Sequence, residues 1–566
     1  AALSFLAEVK YPDHVTSQHG MLPPVPETAP TFVKEVLGEI IANRGDQLPV
    51  SKFVEMADGT FPTGTTQYEK RSIAQDIPVW NPELCIQCGQ CSIVCPHAAI
   101  RMNVYDAELA AKAPEGFRSV AAKNKDFAGM SFTLQTYPDD CTGCGLCASV
   151  CPAKDKTDPS RKALNMEPML PIVEQERKNL DFYQSIPAVD RSKVKQDTMV
   201  GSQLLQPLFE FSGACAGCGE TPYIKLVTQF FGDRMLVANA TGCSSIYGGN
   251  LPCTPYAKNA NGNGPAWANS LFEDNAEFGM GMRLACDQQR EYAETLLKGL
   301  APMVGDDLVT EILGNAQKTD EEIAKQRRLV ASLVGKLDTL SQPEAAMLTK
   351  SAEYLIRRSV WCFGGDGWAY DIGFGGLDHI FASGRDMNVM VLDTEVYSNT
   401  GGQSSKATPR GAQAKFAMGG KPSRKKDLGM IAMSYGNVFV GQISIGANPL
   451  HALRTIRAAE SYEGTSLIIA LSHCIAWTID LSKGLEFQKE AVACGYWPLY
   501  SYDPRLEQPL KLASKAPTGG FREFALKQGR FNNLHRAKPE VSDRLLEGCE
   551  QDLETRWALY TRLAGE

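Results

Sequence analysis

A doubly wound α/β domain preceded by a smaller α+β domain is the fold class this sequence predicts, and three observations carry it. From Phe209 onward, short apolar runs alternate with helical stretches nearly to the end, the pattern of a parallel sheet covered on both faces. Two of those runs end in turns suited to ligands, Phe363-Gly364-Gly365-Asp366-Gly367 and Asp393-Thr394-Glu395, where open α/β sheets bind small molecules. Residues 81–164 hold an internal repeat of closely spaced cysteines.

At 566 residues and 61.7 kDa the chain exceeds one compact domain, and about two to four are expected. A net charge of −8 argues against a nucleic-acid binder. No apolar segment reaches the length needed to span a bilayer. Ala1 to Tyr11 lack the basic and apolar regions of a signal peptide. The chain opens on Ala, and Leu3 to Pro12 reads as the interior of a longer protein, so the C-terminal half of one is expected. Its 17 cysteines are grouped in a large signal-free chain, which favours metal ligation in a reducing compartment. A cytoplasmic location follows; an organellar one is compatible.

In order, residues 1–80 read as a connector that wraps other domains, with one amphipathic helix from about Thr31 to Arg44 and Thr31 as its N-cap. Residues 81–164 carry Cys85-x2-Cys88-x2-Cys91-x3-Cys95-Pro96 and Cys141-x2-Cys144-x2-Cys147-x3-Cys151-Pro152. This is the bacterial two-cluster ferredoxin spacing, in which the fourth thiolate of each run crosses to the other [4Fe–4S] cluster. Cys85, Cys88, Cys91 and Cys151 would hold one cluster; Cys141, Cys144, Cys147 and Cys95 the other. A zinc site does not account for two such runs. His97 is read as a local packing residue, and the Arg101 to Asp140 segment as packing on neighbouring domains.

Residues 165–208 read as a linker, and residues 209–566 as the α/β domain with a helical insertion at about 283–358. Its candidate strands are Met235 to Ala238, Ser359 to Phe363, Asn388 to Leu392, Val438 to Ile443 and Ser466 to Leu471. The basic run Arg424-Lys425-Lys426 is expected to be a solvated loop. Asp366, the Thr394 hydroxyl, the Val396 carbonyl and the Asn399 amide are candidate oxygen ligands for one Mg²⁺ held against a diphosphate. Gly242, Gly365 and Gly367 let backbone approach phosphate oxygens. Cys215, Cys218 and Cys243 suggest a third cluster. Its fourth ligand lies among Cys253, Cys286, Cys362, Cys474, Cys494 and Cys549, and Cys474 is favoured because it follows a strand end; Cys362, inside a strand, is expected to be inert.

Gly-Asp-Gly followed by an Asn-containing segment resembles the thiamin diphosphate motif, although the commonest form ends in a pair of asparagines and Asp393-Thr394 stand near that place. A lone Gly-Asp-Gly reads equally well as a turn between Rossmann-like strands; the segment Glu395 to Gln403 is more specific. Together with Ser212 to Tyr223, Ala238 to Ile246, Gly264 to Asp274, Phe363 to His379 and Asp393 to Thr408, it resembles the pyruvate:ferredoxin (flavodoxin) oxidoreductase family. The resemblance implies that Cys215, Cys218, Cys243 and Cys474 bind the cluster nearest thiamin diphosphate. Asp366, Thr394 and Val396 would be the Mg²⁺ ligands, and Asn399 would lie beside the reacting carbon. Candidate catalytic residues are thus Asn399 and Cys243. The block Leu471-Ser472-His473-Cys474-Ile475 matches least well.

The implied activity is oxidative decarboxylation of pyruvate with coenzyme A to acetyl-CoA and CO₂. Electrons would pass through three [4Fe–4S] clusters to ferredoxin or flavodoxin, in a homodimer. The family's N-terminal domain, which supplies a glutamate for the thiamin ring and groups for the pyruvate carboxylate, and its coenzyme A domain have no counterpart between Ala1 and Glu566. That half would be a partner. Two alternatives stay open: a relative using another 2-oxo acid or passing electrons to NADP through a fused flavoprotein, and a non-catalytic iron–sulfur electron-transfer subunit.

Overall fold

A computed structural model describes Ser4, residues 6–16 and residues 23–565 of the chain. Leu3 and Phe5, part of the segment read as the interior of a longer protein, lie outside the described residues, as do Ala1 and Ala2. The chain divides into two units, residues 1–61 with 68–70, and residues 62–67 with 71–566.

In the first unit the helix is shorter than its pattern suggests. It runs over residues 31–41 with a π-helical turn at Val33–Leu37, and Asn43 takes a left-handed φ of 62° two residues beyond it. Thr31 is the first helical residue rather than the cap, because the Pro30 carbonyl already accepts from the Lys34 amide. Phe32 meets Phe61 edge-on at 5.4 Å.

The second unit opens with the cysteine-rich domain. Strand β1 (Asp76–Trp80) pairs antiparallel with β5 (Leu164–Pro168), Trp80 opposite Leu164, bringing together the two ends of the repeat region. Both strands overrun the sequence-based boundaries of 81 and 164. Between the repeats, β2 (Ile100–Tyr105), β3 (Val120–Ala121) and β4 (Ser131–Thr136) form their own sheet in the order β2-β4-β3. The segment expected to pack on neighbouring domains is a structured sheet, and its Met102 and Phe132 lie in one core with residues of the α/β domain. The expected linker is also structured beyond β5, with helices at Val173–Ser185 and Met199–Leu204.

The α/β domain is built on one sheet of eight strands: β6 (Met235–Asn239), β7 (Ala266–Asn269), β8 (Ser359–Gly365), β9 (Met387–Asp393), β10 (Phe439–Ile443), β11 (Thr465–Leu471), β12 (Tyr500–Tyr502) and β13 (Leu510–Leu512). Their order is β13-β12-β10-β11-β9-β8-β6-β7, parallel from β10 to β7, with β12 and β13 antiparallel at one edge. The inner strands read as continuous apolar runs because both faces are buried. Trp361, Phe363, Met390 and Leu392 enter one core, and Cys362, Val389 and Val391 the other. The first core continues into the cysteine-rich domain through Trp80, Ile93, Met102 and Phe132, across helix Thr221–Phe231. Strand order reverses between β6 and β8, so their carboxyl ends, Asn239 and Gly365, flank the crevice where such sheets take ligands.

The helical insertion starts with helix Asn275–Gly299, earlier than the expected residue 283, and has a core of its own. At the foot of that helix, Gly279 lies so near β8 that a Cβ there would stand 2.1 Å from Cys362 Sγ. Gly279→Ala is expected to destabilise by about 1–3 kcal/mol through overpacking, outweighing alanine's better helix propensity. Adding Cys362→Ala should recover most of the loss. Thermal melts of the single and double variants check this, and unchanged stability in the single variant would contradict it. Among the described residues no helix is long and apolar enough to cross a membrane.

Candidate functional site

Two cavities in the cysteine-rich domain separate the eight repeat cysteines into two sets. One, with about 420 Å³ of empty space, is lined by Cys85, Cys88, Cys91 and Cys151; the other, with about 360 Å³, by Cys95, Cys141, Cys144 and Cys147. Each repeat lends its last cysteine to the other's cavity. The repeats are built alike: Gly89 and Gly145 take left-handed φ of 76° and 75° and start the short helices Gln90–Ile93 and Leu146–Val150. Amides point at sulfur, Gln87 N–H to Cys85 Sγ at 3.3 Å, Ala99 N–H to Cys95 Sγ at 3.3 Å and Gly143 N–H to Cys141 Sγ at 3.5 Å.

Burial pushes the Cys141 thiol up to about 12 and that of Cys144 to about 11. Thiols so placed need a cationic partner to ionise, and iron provides one. Among the described residues no three His, Cys, Asp or Glu close on a single metal ion, while the wider thiol sets leave room for a cluster.

A third set forms at the carboxyl edge of the large sheet. Cys215 and Cys218 lie on the loop before helix Thr221–Phe231, Cys243 follows β6, and Cys474 follows β11. They lie close enough that the charges of Cys474 and Cys215 raise the Cys243 thiol further, after burial and Glu220. Burial takes Cys474 to about 12, with Glu220 and Cys215 adding to it. Cys362, by contrast, is fully buried in β8, its thiol 3.8 Å from the Asn275 carbonyl.

Two buried histidines pin the loop. His473 Nε2 donates to the Gly217 carbonyl at 2.9 Å, which leaves Nδ1 to accept from Gln488. His97 Nε2 donates to the Ala214 carbonyl at 3.0 Å, so His97 joins two domains rather than packing locally. The Gly217 amide also reaches the Cys144 thiol, placing the third set against the second.

Beside the third set lies a cavity of about 370 Å³ at the β6/β8 crevice, lined on one side by Gly242, Cys243 and Glu220, and on the other by Gly365, Asp366 and Gly367. Val396 and Asn399 complete it, Asn399 at the exposed rim. The Thr394 hydroxyl stands 3.0 Å from both Asp366 Oδ1 and the Val396 carbonyl. The Asp366 carboxylate is wholly buried; burial, with the Asp393 charge, pushes it up to about 8. A carboxylate, a hydroxyl and a carbonyl converging there suit a hard cation, which would restore the ionised form. Gly367 is required because a Cβ would fall 2.5 Å from the Tyr397 ring. Cys243 Sγ is 3.4 Å from the Ser398 hydroxyl, itself 3.4 Å from Thr394 Oγ1, so the third thiol set and the oxygen set share one segment.

Several residues escaped the sequence reading. Ser405 donates to Asp366 Oδ2 at 2.6 Å, and buried Lys421 holds its loop through the Ser405 and Thr408 carbonyls. Glu220 is buried against Tyr247, and burial raises it to about 7. The basic run is not a solvated loop: Lys425 turns inward and bridges Asp393 at 2.8 Å and Glu395 at 2.9 Å. Arg530 and Tyr496 hold the rest of Glu395, which sits at φ 64°. Lys425→Met is expected to cost about 3–5 kcal/mol, because two buried carboxylates lose their shared cation. A thermal midpoint equal to that of the parent would refute it.

Three family models match parts of the chain. They are a domain of unknown function over residues 18–74, a 4Fe-4S dicluster domain over 84–154, and a thiamine pyrophosphate enzyme C-terminal TPP-binding domain over 343–470. Curated relatives match the chain almost end to end. Pyruvate-flavodoxin oxidoreductase of Trichormus variabilis is 54% identical over 98% of the chain and 47% of its own length. That of Rhodospirillum rubrum is 50% identical over 100% and 47%, and pyruvate:ferredoxin oxidoreductase of Moorella thermoacetica 48% over 100% and 48%. The chain spans about half the length of the curated relatives it matches.

Proposed function

The chain belongs to the pyruvate:ferredoxin (flavodoxin) oxidoreductase family, and from that membership we propose that it carries the thiamin and electron-transfer half of such an enzyme. The reaction is coenzyme A-dependent oxidative decarboxylation of pyruvate to acetyl-CoA and CO₂. Three [4Fe–4S] clusters take the electrons to ferredoxin or flavodoxin, in a cytoplasmic homodimer. The observation that carries this reading is the shared cavity, with Asp366 on one wall and Cys243 on the other.

Bound thiamin diphosphate supplies the electron sink that decarboxylation of a 2-oxo acid requires, and clusters accept the electrons one at a time. Asp366, the Thr394 hydroxyl and the Val396 carbonyl would hold Mg²⁺ against the diphosphate, with Ser405 fixing the second oxygen of Asp366. Gly242, Gly365 and Gly367 leave the walls open to backbone contact. Asn399, at the rim, is placed to orient a polar group of the substrate. Cys215, Cys218, Cys243 and Cys474 would hold the first cluster. The Gly217 amide on the Cys144 thiol supports an order in which the Cys95/Cys141/Cys144/Cys147 cluster comes second and the Cys85/Cys88/Cys91/Cys151 cluster last.

The test is anaerobic viologen reduction by the native full-length protein, with pyruvate plus coenzyme A against 2-oxoglutarate plus coenzyme A. Rapid reduction with pyruvate is expected. Reduction only with 2-oxoglutarate would overturn the substrate, and none with either, despite intact clusters, the activity.

A further inference from the structure

Helix Thr221–Phe231 sends one cationic side chain, Lys225, into the core it shares with the cysteine-rich domain, and that side chain is fully buried. Its ammonium donates to the carbonyls of Ser92, of Ile93 at 3.0 Å and of Cys95 at 3.4 Å. These carbonyls belong to the short turn from Cys91 to Cys95, whose two thiols face different cavities. Lys225 thus stands where the two cluster sites meet.

Among the described residues, its hydrogen-bond partners are all carbonyls. No carboxylate is among them. Arg101, the other cation nearby, is paired with Glu210. A buried ammonium without an opposite charge is strongly disfavoured, so the position calls for an anion. A cubane held by four thiolates is one, and its negative charge grows on reduction.

We propose that Lys225 is the shared counter-charge of the two ferredoxin-like clusters, raising the reduction potentials of both together. The proposal rests on the cluster part of the reading above. A fixed cation favours the more negative, reduced state of each centre, and one set between two centres acts on both. The first cluster, on the Cys215 loop and outside the Cys91–Cys95 turn, feels it less.

The test is an anaerobic redox titration of the full-length holoprotein followed by electron paramagnetic resonance, with iron content measured alongside. In Lys225→Met, both ferredoxin-like clusters should become harder to reduce by at least about tenfold, or about 59 mV for a one-electron centre. The third cluster should move far less, and Lys225→Arg should stay close to the parent. Unmoved midpoints in a cluster-loaded Lys225→Met overturn the proposal, and a shift in one cluster alone overturns the sharing. If Lys225→Met loses its clusters, Lys225→Gln and Lys225→Arg decide. Loss in both neutral variants with retention in Lys225→Arg is what a counter-charge requires; loss in all three, or retention in Lys225→Gln with parental potentials, assigns Lys225 to packing and overturns it. A parent protein without iron would instead defeat the cluster reading, and this inference with it.

Discussion

Asp366→Ala is expected to abolish retention of thiamin diphosphate and Mg²⁺ while leaving both ferredoxin-like clusters spectroscopically unchanged. Asp366 is the charged member of its oxygen set; Thr394 and Ser405 offer hydroxyls and Val396 a carbonyl. Mg²⁺ dehydrates reluctantly and is bound through one or two carboxylates plus substrate phosphates, so losing this one removes the main reason for it to enter a buried site. Asp366→Asn keeps the shape and the acceptor for Thr394 but not the charge, and should lose the cofactor too. Cofactor and metal content after desalting give the answer. Parental retention, or normal turnover, in Asp366→Ala would refute the site.

Cys243→Ala should remove one cluster of the three, about one third of the iron, and halt electron flow out of the thiamin cavity. Its thiol faces Cys474 and Cys215 across the carboxyl edge of the sheet and lies 3.4 Å from Ser398 in the cofactor segment. Cys549→Ala is the control: Cys549 is buried in the core of the C-terminal helix and should leave the iron unchanged. Equal iron in Cys243→Ala and the parent would refute the third cluster.

The inner strands were legible because burial on both faces leaves mostly apolar residues, which is why β6, β8, β9, β10 and β11 lie within a residue or two of their runs. The short strands β7, β12 and β13 were not: they span four, three and three residues. Cysteine spacing was informative because a cluster dictates the separation of its ligands. Ser405, Lys425 and Arg530 gave no local signal, since their partners lie far along the chain; Arg530 meets Glu395 across 135 positions. Lys425 was misread because a run of three basic residues looks solvated, whereas its central member fills a doubly acidic pocket. Lys225 did leave a trace, a lone cation in the otherwise uncharged helix TPYIKLVTQFF.

The exchange of Cys95 and Cys151 between the two cavities bears on how the domain is made. During synthesis the first repeat emerges with four thiols but can present only three to its own site, and its fourth is committed to a site not yet translated. The Cys95/Cys141/Cys144/Cys147 site has all its thiols once Cys147 has left the ribosome, and the Cys85/Cys88/Cys91/Cys151 site, the first to begin, is the last to be completed, with Cys151. Iron insertion into this domain would accordingly be a late event, and a chain truncated between the repeats would hold neither complete set of thiols.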